Sequence, residues 1–166
     1  MLTGLGAAPP AADSKALVEG GNAFAIDLYK KLAAEKGNVV CSPYSVSAAL
    51  AMTYAGARGD TAAEMAKVLG FAELGERVHP AQADLARRLK GDPAKGQPEF
   101  NVANALWGQR DYGFRPEFLT LTRSHYGAGL REVDYVGDTE GARRTINGWV
   151  GDQTKGKIPE IGRAHV

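Results

Sequence analysis

The 166-residue sequence has a single cysteine, only three histidines and no surplus of either charge. A disulfide framework needs paired cysteines and a thiolate zinc site needs several ligands, so the lone Cys41 excludes both, and the scattered histidines do not restore a metal cluster. Twenty Lys+Arg against nineteen Asp+Glu leave a formal charge of +1, which removes the electrostatic case for nucleic acid or an acidic membrane surface as a partner. Long hydrophobic runs are missing as well, since Gly, Pro or a charge interrupts every candidate for a membrane span. No Ser/His/Asp arrangement with meaningful spacing and no phosphate-cradling glycine motif is found, so neither an enzyme nor a cofactor is expected. What is there, 44% hydrophobic and 23% charged residues, is the balance of a globular chain that can bury one core.

Both ends carry expectations of their own. Residues 1–15 begin with an Ala-, Gly- and Pro-rich stretch and read as a disordered lead-in. They lack the basic start and long apolar run of an intact signal peptide, but their small residues also suit the tail of an export signal lying upstream. That second reading places the protein outside the cytoplasm, secreted or periplasmic. At the other end, Glu160-Ile-Gly-Arg-Ala-His-Val166 is what one frame of a common sequencing adapter translates to, so residues 160–166 are expected to be a non-native tail on a gene cut short. An in-frame natural stop after Val166 at the source locus would contradict this.

Between them, periodicity marks the elements. Phe24, Leu28 and Leu32 recur at a spacing of four, against Asp27, Lys30, Lys31 and Glu35 on other faces, which predicts an amphipathic helix over 16–34. Val39-Val40-Cys41 is a short apolar run in which Cys41 reads as a buried small hydrophobe. It leads into Ser42-Pro43, a strong helix start: the serine oxygen can cap an orphan N–H, and proline needs no donor at the first helical position. The helix over 43–57 carries no charge on any face and is expected in the core, with Ser45, Ser47 and Thr53 finding partners.

Thr61-Ala-Ala-Glu64 reads as a capping box, with Met65, Val68 and Leu69 as the apolar stripe and Gly70 as the stop. Pro80 opens a helix with Leu85 and Leu89 inward and Arg87, Arg88 and Lys90 outward. After a Gly/Pro loop over 91–98, the residues from Phe100 to Trp107 alternate as a strand buried on both sides. Pro116 starts a helix bearing Phe118, Leu121 and His125, with Gly127 as its stop. Residues 130–136 form a second strand, and Asp138 caps a last helix whose stripe is Ala142, Ile146, Trp149 and Val150. Two strands do not make a self-sufficient sheet, so partner strands are expected from elsewhere.

Several separated motifs, taken in order, resemble the N-terminal part of a serpin. Asn38-Val-Val-Cys-Ser-Pro-Tyr-Ser-Val-Ser-Ala-Ala-Leu-Ala-Met52 is similar to the start of that family's buried second helix, and Gly56-Ala-Arg-Gly-Asp-Thr61 to the turn after it. Asn104-Ala-Leu-Trp107 is similar to a strand of the large sheet, and Pro116-Glu-Phe118 and Tyr126-Gly-Ala128 bracket the next helix. Ile146-Asn-Gly-Trp149 with Thr154-Lys-Gly-Lys-Ile158 matches the helix that crosses the sheet. The resemblance runs from about Val18 to Ile158 and implies an α+β fold, with N-terminal helices around part of a large central β-sheet and residues 16–159 as part of one domain.

The function it implies is inhibition of serine or cysteine endopeptidases by a single-use trap. A cleaved loop inserts as a new strand into the large sheet and drags the protease with it. The C-terminal sheets and that reactive loop are absent from this chain, so the 166 residues alone are not expected to inhibit. They are also expected to aggregate through uncovered sheet edges. The resemblance maps the hydrogen-bonding shutter under the central strands onto Ser42, Ser45 and Asn104, although a plain N-cap accounts for the two serines equally well. Arg87, Arg88 and Lys90 fall on the helix that some serpins use for glycosaminoglycans, but a solvated charged face is the commoner meaning of such a cluster. The alternatives are a non-inhibitory serpin acting as carrier, chaperone or storage protein, and a short interaction module that pairs its sheet with a partner.

Overall fold

The computed structural model describes residues 10–34, 37–98, 100–127 and 129–161. Its element order is the one read from the sequence: four helices, then strand, helix, strand, helix. The chain divides into two compact units, one up to Leu89 and one from Lys90.

The first unit is helical. It holds α1 (Ala11–Leu32), α2 (Pro43–Tyr54), α3 (Gly59–Leu69) and, after a 3-10 turn at Gly75–Arg77, α4 (Val78–Lys90), whose last residue passes the unit boundary. Helix α1 starts five residues earlier than its apolar stripe suggests. The Pro10 carbonyl accepts from the Asp13 and Ser14 N–H groups, and Asp13 lies in the first turn, where the helix dipole favours a negative charge. Asp13 is only 3% exposed and pairs with Arg77, while the Ser14 hydroxyl donates to Asp84 Oδ2 at 3.2 Å. Residues 11–15 are therefore an anchored helical turn and not the disordered lead-in expected there; residues 1–9 lie outside the described residues.

Leu17, Ala51, Met52, Leu69, Phe71 and Val78 form the centre of this unit. Helix α3 ends as expected, with Gly70 left-handed at φ 73° and the Phe71 N–H reaching back to the Ala66 carbonyl at 2.7 Å, a Schellman-type closure. Its start differs. Gly59, at φ 56°, turns the chain into the helix two residues before Thr61, so the Thr61/Glu64 capping box does not form. The N-cap position is Arg58, whose guanidinium donates to the Ala55 and Ala57 carbonyls at the end of α2.

Four burial expectations are corrected. Val68 is 64% exposed, leaving Leu69 and Ala66 to carry the inward face of α3. On α4 the inward residues are Val78, His79, Ala81, Gln82 and Asp84, while Leu89 is exposed and Leu85 half-buried, because Asp84 turns inward to meet Ser14 with Arg87 and Arg88 folded over it. Helix α2 buries only one face, through Ser47, Ala48, Ala51 and Met52; Val46 and Leu50 stay exposed. The run leading into it has no strand partner among the described residues, so Val40 is 98% exposed and Cys41 is exposed rather than buried.

In the second unit, β1 (Leu106–Gln109) and β2 (Leu130–Val133) pair in parallel, with Trp107 opposite Arg131 and Gln109 opposite Val133. Between them runs α5 (Pro116–Tyr126), and α6 (Thr139–Gln153) follows. Pro116 at its first turn and Gly127 just past its end bound α5 as expected, and buried Thr122 satisfies its hydroxyl on the Phe118 carbonyl at 2.9 Å. A Cβ at Gly108 would stand 2.5 Å from the Phe114 ring, so this strand residue has to be small for the aromatic to cover the sheet.

Both strands are shorter than the 100–107 and 130–136 expected. Residues 100–105 have no ladder partner among the described residues. Past Val133, side chains replace the ladder: Gln109 Oε1 accepts from the Tyr135 and Val136 N–H groups at 2.8 and 3.2 Å, and Asp134 Oδ1 accepts from the Gly137 N–H at 2.8 Å and from Gln109 Nε2 at 3.1 Å. The Gly137 N–H and Gln109 amide hold the Asp134 carboxyl below the ordinary carboxylate value. A depressed native pKa gives stability that is complete above the unfolded value of about 3.9 and lost as pH falls through the native one. Wild-type stability to urea, followed by tryptophan fluorescence, is thus expected to fall as pH is lowered from the unfolded value through the native one, and Asp134→Asn is expected to lose that part of the pH dependence.

Candidate functional site

Ser42 and Ser45 meet at the start of α2. Ser42 is the N-cap, with an extended backbone at φ −115° and ψ 93°; its Oγ accepts from the Ser45 N–H at 3.3 Å and donates to Ser45 Oγ at 3.1 Å. Pro43 occupies the first helical position, as the Ser-Pro spacing predicts. Further along, Thr53 Oγ1 donates to the Ala49 carbonyl at 3.5 Å. Asn104 belongs to the second unit, where it lies half-buried two residues before β1. The structure thus brings the two serines together as a pair. Ser42→Ala is expected to cost about 1 kcal/mol, the usual worth of an N-cap, measured by urea unfolding. Ser45→Ala leaves the Ser42 cap bond intact and is expected to cost less.

Helix α6 carries the other matched motifs. Asp138 caps it by accepting from the Gly141 N–H at 2.8 Å, as expected, and Ala142 and Val150 are buried while Ile146 and Trp149 are half-buried. At its far end the Thr154 hydroxyl donates to the Val150 carbonyl at 2.8 Å and accepts from the Ile158 N–H at 3.0 Å. The chain then returns along the helix: Asn147 Oδ1 accepts from the Ile161 N–H at 3.2 Å, and Arg143 pairs with Glu160 at 2.9 Å. Glu160 and Ile161, from the expected non-native tail, thus contact α6, and residues 162–166, His165 included, lie outside the described residues. Sequence reasoning missed Gln109, Asn147 and Arg131. The signal for Arg131 was available only with the strand register, which sets it beside Trp107.

Arg87 Nη2 and Arg88 Nε each lie 2.7 Å from Asp84, so two of the three cations considered for a sulfated polysaccharide already face a carboxylate. Burial lowers the His125 pKa, which keeps the ring neutral at pH 7. Among the described residues there is no group of His, Cys, Asp and Glu that would hold a metal ion, and no helix long and apolar enough to cross a membrane.

Helices with a small parallel sheet in this order define a portion of a known fold. Residues 19–164 match the family described as Serpin (serine protease inhibitor). The leukocyte elastase inhibitor of Bos taurus is 46% identical over 142 residues, and that of Homo sapiens 42% over 143; each alignment covers 83% of this chain and 36% of the relative. A serpin-like protein of Thermococcus kodakarensis is 42% identical over 148 residues, 89% of this chain and 34% of its own length. Among solved structures, maspin superposes with a TM-score of 0.80 at 28% identity, over 91% of this chain and 40% of its own. Uncleaved ovalbumin gives 0.78 at 26%, over 90% and 40%. The chain belongs to the serpin family, described as serine protease inhibitors, and it spans about 36% of the length of its mammalian relatives.

Proposed function

We propose that the protein to which this chain belongs inhibits serine endopeptidases of the elastase kind by the serpin trap, with cysteine proteases as a secondary target class. The observation that carries this is the 46% identity over 142 residues to a leukocyte elastase inhibitor, beside a family match over 19–164 that takes in α2, β1 and α6. The bait loop and the strands flanking its insertion gap belong to the part of the relatives' length that this chain does not span, so the 166 residues alone leave a protease active. In the whole protein Ser42, Ser45 and Asn104 form the hydrogen-bonding shutter beneath the central strands. The exposed Val46 and Leu50 of α2 are then covered by the rest of the sheet. Action outside the cytoplasm goes with the small-residue start of the sequence read as the end of an export signal, removed ahead of the α1 turn that Asp13 anchors, and N-terminal sequencing of the secreted product checks it.

The experiment is to express the complete product of the locus with a panel of serine and cysteine proteases, elastase first, and to look for a complex that survives denaturing electrophoresis. A stable covalent band supports the trap. Cleavage of the inhibitor without a complex overturns it and assigns the protein to the non-inhibitory serpins.

A further inference from the structure

Trp107 and Arg131 are register partners in the parallel ladder, so their side chains leave the two-stranded sheet side by side on one face. Trp149 of α6 meets both. The two indoles stand edge to face, with centroids 5.9 Å apart and planes at 75°. The Arg131 guanidinium carbon lies 5.7 Å from the Trp107 ring centroid and 5.4 Å from that of Trp149. One cation therefore serves two aromatic rings at distances where the ring quadrupole attracts it. These are the only two tryptophans in the sequence.

Among the described residues no carboxylate lies within ion-pair distance of Arg131, whereas Arg143 pairs with Glu140 and Glu160, and Arg87 and Arg88 pair with Asp84. The ends of α6 are held by hydrogen bonds, from Asp138 at the start and Thr154 at the finish. Ala142 and Val150 along its middle are buried, and Trp149 meets Trp107 of β1. The Trp149 cluster joins both strands to the helix through one charged side chain.

We propose that Arg131 is a positioning residue, a cation latch that holds Trp149 against Trp107 and sets how readily α6 lifts from the strand pair. Its consequence for trapping rests on the proposed function, because a sheet that admits a new strand requires the helix lying across it to move. A planar guanidinium suits the role, since it stacks on aromatic faces while staying hydrated at its edge.

The test uses the 166-residue chain with Arg131→Met, which keeps the length of the side chain without its charge, and Arg131→Lys, which keeps the charge. Amide hydrogen exchange over 142–150 is expected to be about tenfold faster for the Met variant and within about threefold of wild type for the Lys variant, as two exposed cation–π contacts would give. The circular-dichroism couplet from the two adjacent indoles is expected to weaken in the Met variant and persist in the Lys variant. Wild-type exchange and an unchanged couplet in the Met variant would overturn the latch, since packing alone would then hold the helix. Equal acceleration by Met and Lys overturns it too, as does a uniform acceleration that includes α5 and so reports global loosening. Each result leaves the protease reading untouched, because that stands or falls on the covalent complex.

Discussion

Phe71→Ala is expected to destabilise the helical unit by about 3–5 kcal/mol, read as a lowered urea midpoint by far-UV circular dichroism. Phe71 is wholly enclosed, and it follows the left-handed Gly70 so that its N–H closes the end of α3 on the Ala66 carbonyl. Its ring meets Tyr54 of α2 edge to face, with centroids 5.8 Å apart and planes at 61°. Tyr54 in turn lies 6.0 Å from the ring of buried His79 on α4. One side chain thus ties the end of α3 to α2 and, through Tyr54, to α4. Truncation would remove its transfer free energy and leave a cavity among residues that are themselves buried, and it would also forfeit an aromatic pair worth about 0.5–1.5 kcal/mol. Set against the 5–15 kcal/mol stability that is ordinary for a domain, that is a large share. Phe71→Leu keeps most of the volume and is expected to cost about 1.5 kcal/mol or less. A Phe71→Ala midpoint within about 1 kcal/mol of wild type would mean that the three helices are not packed on this ring at all.

The elements legible in the sequence are those whose signals are local. Ser42-Pro43, Gly70, Pro116, Gly127 and Asp138 each mark a helix end by chemistry completed within a few residues, and each end lies where those residues place it. The misplaced ends depend on contacts between distant residues. The first turn of α1 is fixed by Asp13 on Arg77 and Ser14 on Asp84, pairs separated by 64 and 70 positions, and periodicity within a window cannot register them. Asp84 also explains the misassigned face of α4: a carboxylate reads as outward unless its partners are known to fold over it. Strand β2 ends early because Gln109 and Asp134, 25 residues apart, spend their side chains on the turn after it. In the candidate site, the Ser42–Ser45 pair was legible from a spacing of three within one helix start. Arg131 was not, because alternation gives the faces of a strand but not the residue that will stand beside it.

The two adjacent glycines of α1 are expected to respond to alanine with opposite signs. A Cβ on Gly20 would collide with the Gly70 carbonyl oxygen and lie 3.0 Å from the Gly70 Cα, all of it backbone that cannot rotate aside. Gly70 cannot yield by changing conformation either, since its φ of 73° is what closes α3. Around Gly21 there is nothing within 4 Å of the same atom. Both substitutions gain the same intrinsic preference, about 0.8–1 kcal/mol for alanine over glycine inside a helix. At Gly21 that gain stands alone, so Gly21→Ala is expected to stabilise the unit by about 0.5–1 kcal/mol. At Gly20 it is overtaken by overpacking at the upper part of the usual range of about 1–3 kcal/mol, because relief requires α1 to move away from the end of α3; the net expectation is a loss of about 1–2 kcal/mol. The sign difference decides the question more cleanly than either magnitude, since composition, helix and chain position are nearly identical at the two sites. Stabilisation by both would show that α1 and α3 do not approach backbone to backbone at Gly20 and Gly70, and with that contact gone Leu17 and Phe71 would lose the close helix spacing that encloses them.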